Sequence, residues 1–278
     1  MPELPEVETI RREIDKDVVG RKVKDVEVHG MNAVRRHPNK KHFASKLDGV
    51  KIKAVERRAA ALVLRLDSED RWVIRLGDRG HLRRVPAKDP LEAGTHVVVS
   101  FTQGGQLRFI DASGDGEMGV TSADALLEDW PELDLTGLDP VDEPMSWTVF
   151  GQRLLTSRGK LKAVLMDPSV VAGVGPVYSD EILFAAGLRH DRLMSSLSTQ
   201  EIRRLYRAVV ETMHEAVKHH GSTLRDGSFT NLRGDPGGYQ EQHQVYERDG
   251  EACRRCRATL VKNKFAGKPA YSCTECQV

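Results

Sequence analysis

The apolar residues of this 278-residue chain change their repeat part-way along, and that change constrains the fold more than any other feature. A short amphipathic segment comes first, with Val7, Ile10 and Ile14 at helical spacing. The period then becomes two. VKDVEVHG, VKIKAV, LVLRLD, WVIRLG and THVVVSF read as strands, and TQGGQ reads as a hairpin turn into LRFID. From about residue 147 the repeat is helical again. Ser198 and Glu201 form a capping-box pair ahead of Ile202, Leu205, Val209, Met213 and Val217, with Gly221 at the far end. A strand-rich half followed by a helix-rich half predicts an α+β protein of more than one domain. The expected parts are an antiparallel β-sandwich with a leading helix over residues 1–122, an acidic linker over 123–146, a helical domain over 147–240 and a C-terminal finger over 241–278.

The finger is expected because all four cysteines fall in the last 26 residues, as Cys253-x2-Cys256-x16-Cys273-x2-Cys276. That spacing suits one structural zinc ion held by four thiolates on two short turns. Two disulfides are the alternative, although a cytosolic chain rarely keeps them. Four thiolates leave no open coordination position, so the ion's role is scaffolding. Lys262, Lys264 and Lys268 lie between the cysteine pairs, with Arg254, Arg255 and Arg257 beside the first pair. Such a cationic hairpin suits phosphate binding, and a finger for protein contacts is the competing use.

Charge placement points the same way. The formal net charge is +1, but residues 123–145 hold eight acids and no Lys or Arg. The remaining chain carries 42 basic against 33 acidic residues, and residues 21–60 alone have twelve Lys or Arg against four acids. This is the footprint of a polyanion binder. No apolar run approaches the ~18 residues of a membrane span, and the first twenty residues have no signal-peptide pattern, so a cytoplasmic location is expected.

Two further stretches carry chemistry. VVAGVGPVYSDEILFAAG places a Gly-Val-Gly loop at a helix start, where backbone N–H groups bind phosphate well. RDGSFTNLRGDPGGYQ, residues 225–240, is rich in Gly, Asp, Asn and Pro and predicts a long, mobile loop. The N-terminus reads MPELPEVE, and alone it suggests only a proline-opened helix with acids at its positive end.

Taken together in this order, MPELPEVE, GVGPVYSDEILFAAG and the four-cysteine finger resemble the formamidopyrimidine-DNA glycosylase/endonuclease VIII family, over essentially the whole chain. The resemblance implies a β-sandwich, a helix-two-turn-helix module and a zinc finger, and a monomer acting on damaged DNA in base-excision repair. It implies a bifunctional glycosylase and abasic-site lyase. Pro2, exposed as the N-terminus once Met1 is removed, would be the nucleophile, because an α-amino group titrates near ~8 and keeps a neutral fraction at physiological pH. Glu3 would act as acid/base and Glu6 as a supporting carboxylate, with Lys268 assisting from the finger. DNA contacts implied are Arg57, Arg58, Arg79, Arg158, Lys162, Gly173, Gly175, Tyr178, Lys264 and Lys268. The damaged nucleotide must be extruded to expose C1′, and the 225–240 loop would cap it.

Four departures from the family pattern set the expected substrate range. Ala60 stands where members carry a strand lysine. Leu76-Gly77-Asp78-Arg79-Gly80 lacks the methionine that fills the gap left by a flipped base. Asp111-Ala112-Ser113-Gly114-Asp115-Gly116 replaces an Arg-Arg-Phe wedge. Pro176 replaces an asparagine after Gly173-Val174-Gly175. Separately, Lys268 stands at a finger position where members usually have an arginine. Weak activity on 8-oxoguanine in duplex DNA follows, with better activity on abasic, bubble or single-stranded substrates. The rival reading is a DNA-binding paralogue without turnover. A zinc-ribbon interaction module unrelated to DNA fits neither the basic face nor the N-terminus.

Overall fold

The computed structural model describes residues 2–134, 136–142 and 146–278. Its elements are α1 (Leu4–Asp17), β1 (Val23–Val28), α2 (Lys40–Leu47), β2 (Ile52–Arg58), β3 (Ala61–Leu66), β4 (Arg71–Arg75), β5 (Gly80–Val85), β6 (Thr95–Phe101), β7 (Gln106–Asp111), β8 (Glu117–Thr121) and α3 (Leu126–Asp129). These are followed by α4 (Trp147–Thr156), α5 (Leu161–Leu165), α6 (Pro176–Ala186), α7 (Thr199–Lys218), β9 (Val261–Phe265) and β10 (Lys268–Ser272). The chain divides into two compact units. The first comprises residues 1–134 and 220–238, the second 135–219 and 239–278.

Two four-stranded antiparallel sheets, ordered β1-β6-β7-β5 and β2-β3-β4-β8, build the first unit. Period two decides which side chains meet. Leu62, Leu64 and Leu66 of β3 join Trp72 and Ile74 of β4 in the main core, where Val7, Ile10 and Ile14 of α1 also pack. The intervening Ala61, Val63 and Val73 face the other way, against Leu126, Trp130 and Leu133. Both faces of this sheet are therefore covered, and β3 is an almost unbroken apolar run for that reason.

This second layer corrects the expected linker. Residues 123–134 are a packed part of the first unit, because Trp130 and Leu133 are buried on the sheet. The 225–240 loop also differs from expectation. It holds no helix or strand before a 3₁₀ turn at Tyr239–Gln242, yet Phe229 and Leu232 are buried in the sandwich core. Leu232 N–H donates to Glu13 Oε2 at 2.8 Å, and Arg84 N–H donates to the Leu232 carbonyl at 2.7 Å. Residues 220–238 are thus built into the first unit rather than the helical domain. Strand β5, strand β8 and helix α2 went unread in the sequence. β5 carries basic residues, β8 has a central glycine, and α2 buries only Phe43 and Leu47.

In the second unit α6 is buried on nearly all sides and packs on α7 and β10. Gly187 ends α6 in the left-handed conformation, at φ 67°, where a side chain would be disfavoured. α7 begins with the expected capping box, in which Ser198 N–H donates to Glu201 Oε2 at 2.8 Å and Glu201 N–H to Ser198 Oγ at 3.3 Å. Strands β9 and β10 form an antiparallel hairpin between the two cysteine pairs. Among the described residues no helix is long and apolar enough to cross a membrane.

Candidate active site

Pro2 is buried at the entrance to α1 and lines a cavity of about 200 Å³. The other walls come from the β2–β3 turn (Arg58 to Ala61), from Arg75 to Gly77 at the end of β4, from Asp115, and from Glu132 and Leu133. Each wall has a local cause. Arg58 and Ala61 are paired across a two-residue turn, and Ala59 is held at φ 49° to close it. Trp130 and Leu133 bring Glu132 to the rim by burying themselves on the sheet.

The two carboxylates behind Pro2 are almost inaccessible, Glu3 and Glu6 each being 3 % exposed. Glu6 accepts from Glu3 N–H at 2.8 Å and from Ser222 N–H at 2.7 Å. Gly221 allows this approach. Its φ is +74°, and an added Cβ would lie 2.7 Å from Glu6 Oε1. Helix α1 therefore presents a buried carboxylate to its own first turn, fixed by a segment 216 residues further along the chain.

The turns at 76–80 and 111–116, which lack apolar wedge side chains, are tied to each other. Asp78 N–H donates to Asp115 Oδ2 at 3.0 Å, and Asp111 accepts from Gly116 N–H and Ser113 N–H, each at 2.8 Å. Burial alone would raise the Asp111 pKa, but these bonds hold it below the usual carboxylate range. Arg35 donates to the carbonyls of Asp115 and Gly116 at 3.2 and 3.1 Å. Asp78, Arg79 and Asp115 are exposed.

Sequence reasoning missed a charged cluster that reaches the cavity through Arg75 and Glu132. Glu117, buried on β8, accepts from Arg36 and Arg75 at 2.8–3.2 Å and is ion-paired with Arg35 at 3.0 Å. Burial acts to raise its pKa, and the Arg36 hydrogen bond and the three neighbouring positive charges prevail and lower it. Glu132 accepts from Arg36 at 2.9 Å and Arg75 at 3.0 Å. Arg36 lies flat over Trp130, 3.7 Å from its ring centre. Arg75 and Glu117 are directly opposite on β4 and β8, a pairing that β8, unread in the sequence, had concealed.

Of the expected DNA contacts, three are corrected. Arg57 has a fully buried side chain paired with Glu8 at 3.1 Å, so it braces α1 on the sheet. Lys162 is 1 % exposed, and its ammonium donates to Asp180 at 2.6 Å, Ser179 Oγ at 3.0 Å and the Pro176 carbonyl at 3.0 Å. Tyr178 is buried, its ring 5.6 Å from Tyr239. Arg58 lines the Pro2 cavity, and Arg158 is exposed in a separate cavity of about 710 Å³ that includes Arg153 and Asp167. Gly173 adopts φ 71° and Gly175 caps the start of α6. Lys264 and Lys268 are exposed on the finger hairpin. Arg255, beside the first cysteine pair, donates to the Phe184 carbonyl and lies over that ring, which fastens the finger to α6.

The sulfur atoms of Cys253, Cys256, Cys273 and Cys276 all lie within 4.8 Å of one another, and none is disulfide-bonded. Cys253–Cys276 and Cys256–Cys273 are 3.9 and 3.4 Å apart. A tetrahedral four-thiolate ion with metal–sulfur bonds of about 2.3 Å has sulfur–sulfur edges of roughly 3.8 Å, so the donor set fits such an ion.

Comparison with known proteins agrees with this architecture. The model of the formamidopyrimidine-DNA glycosylase N-terminal domain matches residues 1–118, and that of the H2TH domain of the same glycosylases matches residues 136–228. The formamidopyrimidine-DNA glycosylase of Geobacillus kaustophilus is 38% identical over 277 residues, with 100% of both chains covered. The chain belongs to the formamidopyrimidine-DNA glycosylase family. The Salinispora arenicola member is 36% identical over 279 residues, covering 100% of this chain and 96% of its own. Among solved structures, the Lactococcus lactis Fpg in complex with abasic-site DNA superposes with a TM-score of 0.89 at 31% identity, over 99% of each chain. The same protein bound to N7-benzyl-Fapy-dG DNA gives 0.89 at 31%, again over 99% of each chain.

Proposed function

We propose that this member of the formamidopyrimidine-DNA glycosylase family is a base-excision repair glycosylase and abasic-site lyase whose nucleophile is the nitrogen of Pro2. The observation carrying this reading is the placement of Pro2 in a walled cavity, in front of two buried glutamates, one of them held by two backbone N–H groups.

With Met1 removed, the Pro2 secondary amine attacks C1′ of an extruded nucleotide. The C1′–base bond breaks and the base leaves with a proton. The C1′–O4′ bond then opens as nitrogen supplies its lone pair to form the iminium, and Glu3 delivers a proton to O4′. Loss of a C2′ proton and departure of the 3′ phosphate complete the strand break. Glu6 keeps Glu3 and the helix start in register. Arg58, Arg158, Lys264, Lys268 and the Gly173–Gly175 loop supply phosphate contacts, and the exposed tip at 225–228 covers the extruded base. The four cysteines hold one zinc ion, which keeps the finger hairpin folded and takes no part in the chemistry.

The lesion range is shifted away from that of a duplex 8-oxoguanine enzyme. The 76–80 and 111–116 turns present carboxylates where an apolar wedge would refill the base stack, and their mutual hydrogen bonds keep them polar. Abasic, bubble and single-stranded substrates require no such wedge.

Borohydride trapping on an abasic-site oligonucleotide tests the proposal, with mass spectrometry establishing that Met1 is gone. A covalent adduct is expected, absent in Pro2→Gly and strongly reduced in Glu3→Gln. Binding without an adduct on any lesion makes the protein a DNA-binding paralogue instead.

A further inference from the structure

Three guanidiniums share two carboxylates in a cluster that reaches the Pro2 cavity through Arg75 and Glu132. Glu117 is buried and belongs to the sheet. Glu132 is different, because its side chain is 34 % exposed at the cavity rim and comes from the acidic segment. One of its oxygens, Oε1, receives both Arg36 Nη2 at 2.9 Å and Arg75 Nη1 at 3.0 Å. Two guanidiniums converging on a single anionic oxygen is the arrangement in which a phosphate oxygen is bound. Arg36 is held in place by Trp130, and Arg75 by its bond to Glu117 at 2.8 Å, so neither depends on Glu132 for its position. Without Glu132 the cluster retains three arginines against the single buried carboxylate.

We propose that Glu132 is a built-in stand-in for a DNA phosphate: it occupies an Arg36–Arg75 oxyanion site beside Pro2 and is displaced when the phosphate flanking the extruded sugar enters. This rests on the reading of Pro2 as the residue that meets the sugar, since a deoxyribose in that cavity carries its phosphates within reach of the wall. The stand-in neutralises two guanidiniums while no DNA is bound, and it makes the site discriminate. Undamaged duplex that does not deliver a phosphate into the cavity gains nothing from the arginines.

Equilibrium binding of the zinc-loaded full chain to a duplex with a tetrahydrofuran abasic analogue, over a range of salt, tests this. Glu132→Gln should bind about tenfold more tightly, with a salt slope steeper by about 0.9, the increment for one further phosphate neutralised. Glu132→Asp, which withdraws the carboxylate by one methylene, should move the same way by a smaller factor and covers the case in which the glutamine variant folds poorly. In the Glu132→Gln background, Arg75→Gln should cancel the gain, which places the coupling on that pair. Affinity within twofold of the parent in both Glu132 variants, or a gain that survives Arg75→Gln, overturns the proposal. Failure of the Pro2 reading is seen separately, as trapping that persists in Pro2→Gly or as no preference for the abasic duplex over undamaged DNA.

Discussion

At the scale of single residues, charge type misleads where burial decides. Lys162 and Arg158 look alike in sequence, but the first is an internal ion pair and the second is solvent-facing. Lys162→Ala leaves Asp180 buried without its cation, and a loss of about 3–5 kcal/mol in urea unfolding is expected. Asp180 is already pushed up to about 6 by burial, against the pull of Lys162. Arg158→Ala should leave stability within about 0.5 kcal/mol and reduce the salt slope of DNA binding by about 0.9. Gly221→Ala combines a left-handed backbone with a Cβ directed at Glu6. The backbone alone costs about 1–2 kcal/mol, and the formation rate of the trapped adduct should fall as Glu6 is displaced. The roles proposed for Pro2, Glu3 and Glu6 rested on the family resemblance, and only the clustering of the four cysteines was legible from spacing alone. The partners of Arg57, Lys162 and Arg75 were not, because each meets a residue far away in the chain, and no local pattern records such a pairing.

Among the elements, those whose apolar period is strong and whose ends are marked were read correctly. α7 has both, with its capping box and one continuous buried face. Ser198→Ala should cost about 1 kcal/mol, read as a lower urea midpoint. Glu201 also bonds Arg192 at 2.6 Å, and the Arg192 hydrogen bond with those from Ser198 pulls its pKa down to about 2. Its folded value lies below its unfolded one, so its contribution is complete above about pH 4.5 and is lost as pH falls through about 2. Urea midpoints measured from pH 5 down to pH 2.5 should fall less in Glu201→Gln than in the parent, from a lower starting point. The elements that went unread have weak patterns: Gly119 interrupts β8, and basic side chains fill β5. Acidity concealed the packing of 126–133, because the three apolar side chains that cover the sheet are matched in number by the acids between them.

For the molecule as a whole, two stabilising principles operate in separate places. The first unit stands on a continuous apolar core, whereas the finger is too small to bury one and gathers four cysteines in a set that fits a metal ion. One zinc per chain is expected by elemental analysis. Stripping it with a chelator, or Cys256→Ser, should abolish DNA binding and the protection of the 251–278 amides from hydrogen exchange. The amides of β3 and β7 should stay protected. Fold class and the order of parts were visible from the change of apolar period. The true boundaries were not, because 220–238 rejoins the first unit after a helical domain has intervened.

That interrupted first unit has a consequence for biosynthesis. Ser222, which fixes Glu6, leaves the ribosome long after the amine and the sandwich strands have emerged. On the proposed mechanism, a chain that lacks residues 220–238 has Pro2 without the Ser222 N–H that holds Glu6. A fragment ending at Asp134 should be unable to form the borohydride adduct, and supplying residues 220–238 as a separate peptide should restore part of it. On the proposed mechanism, the capacity to cleave DNA waits for residues 220–238 to be made.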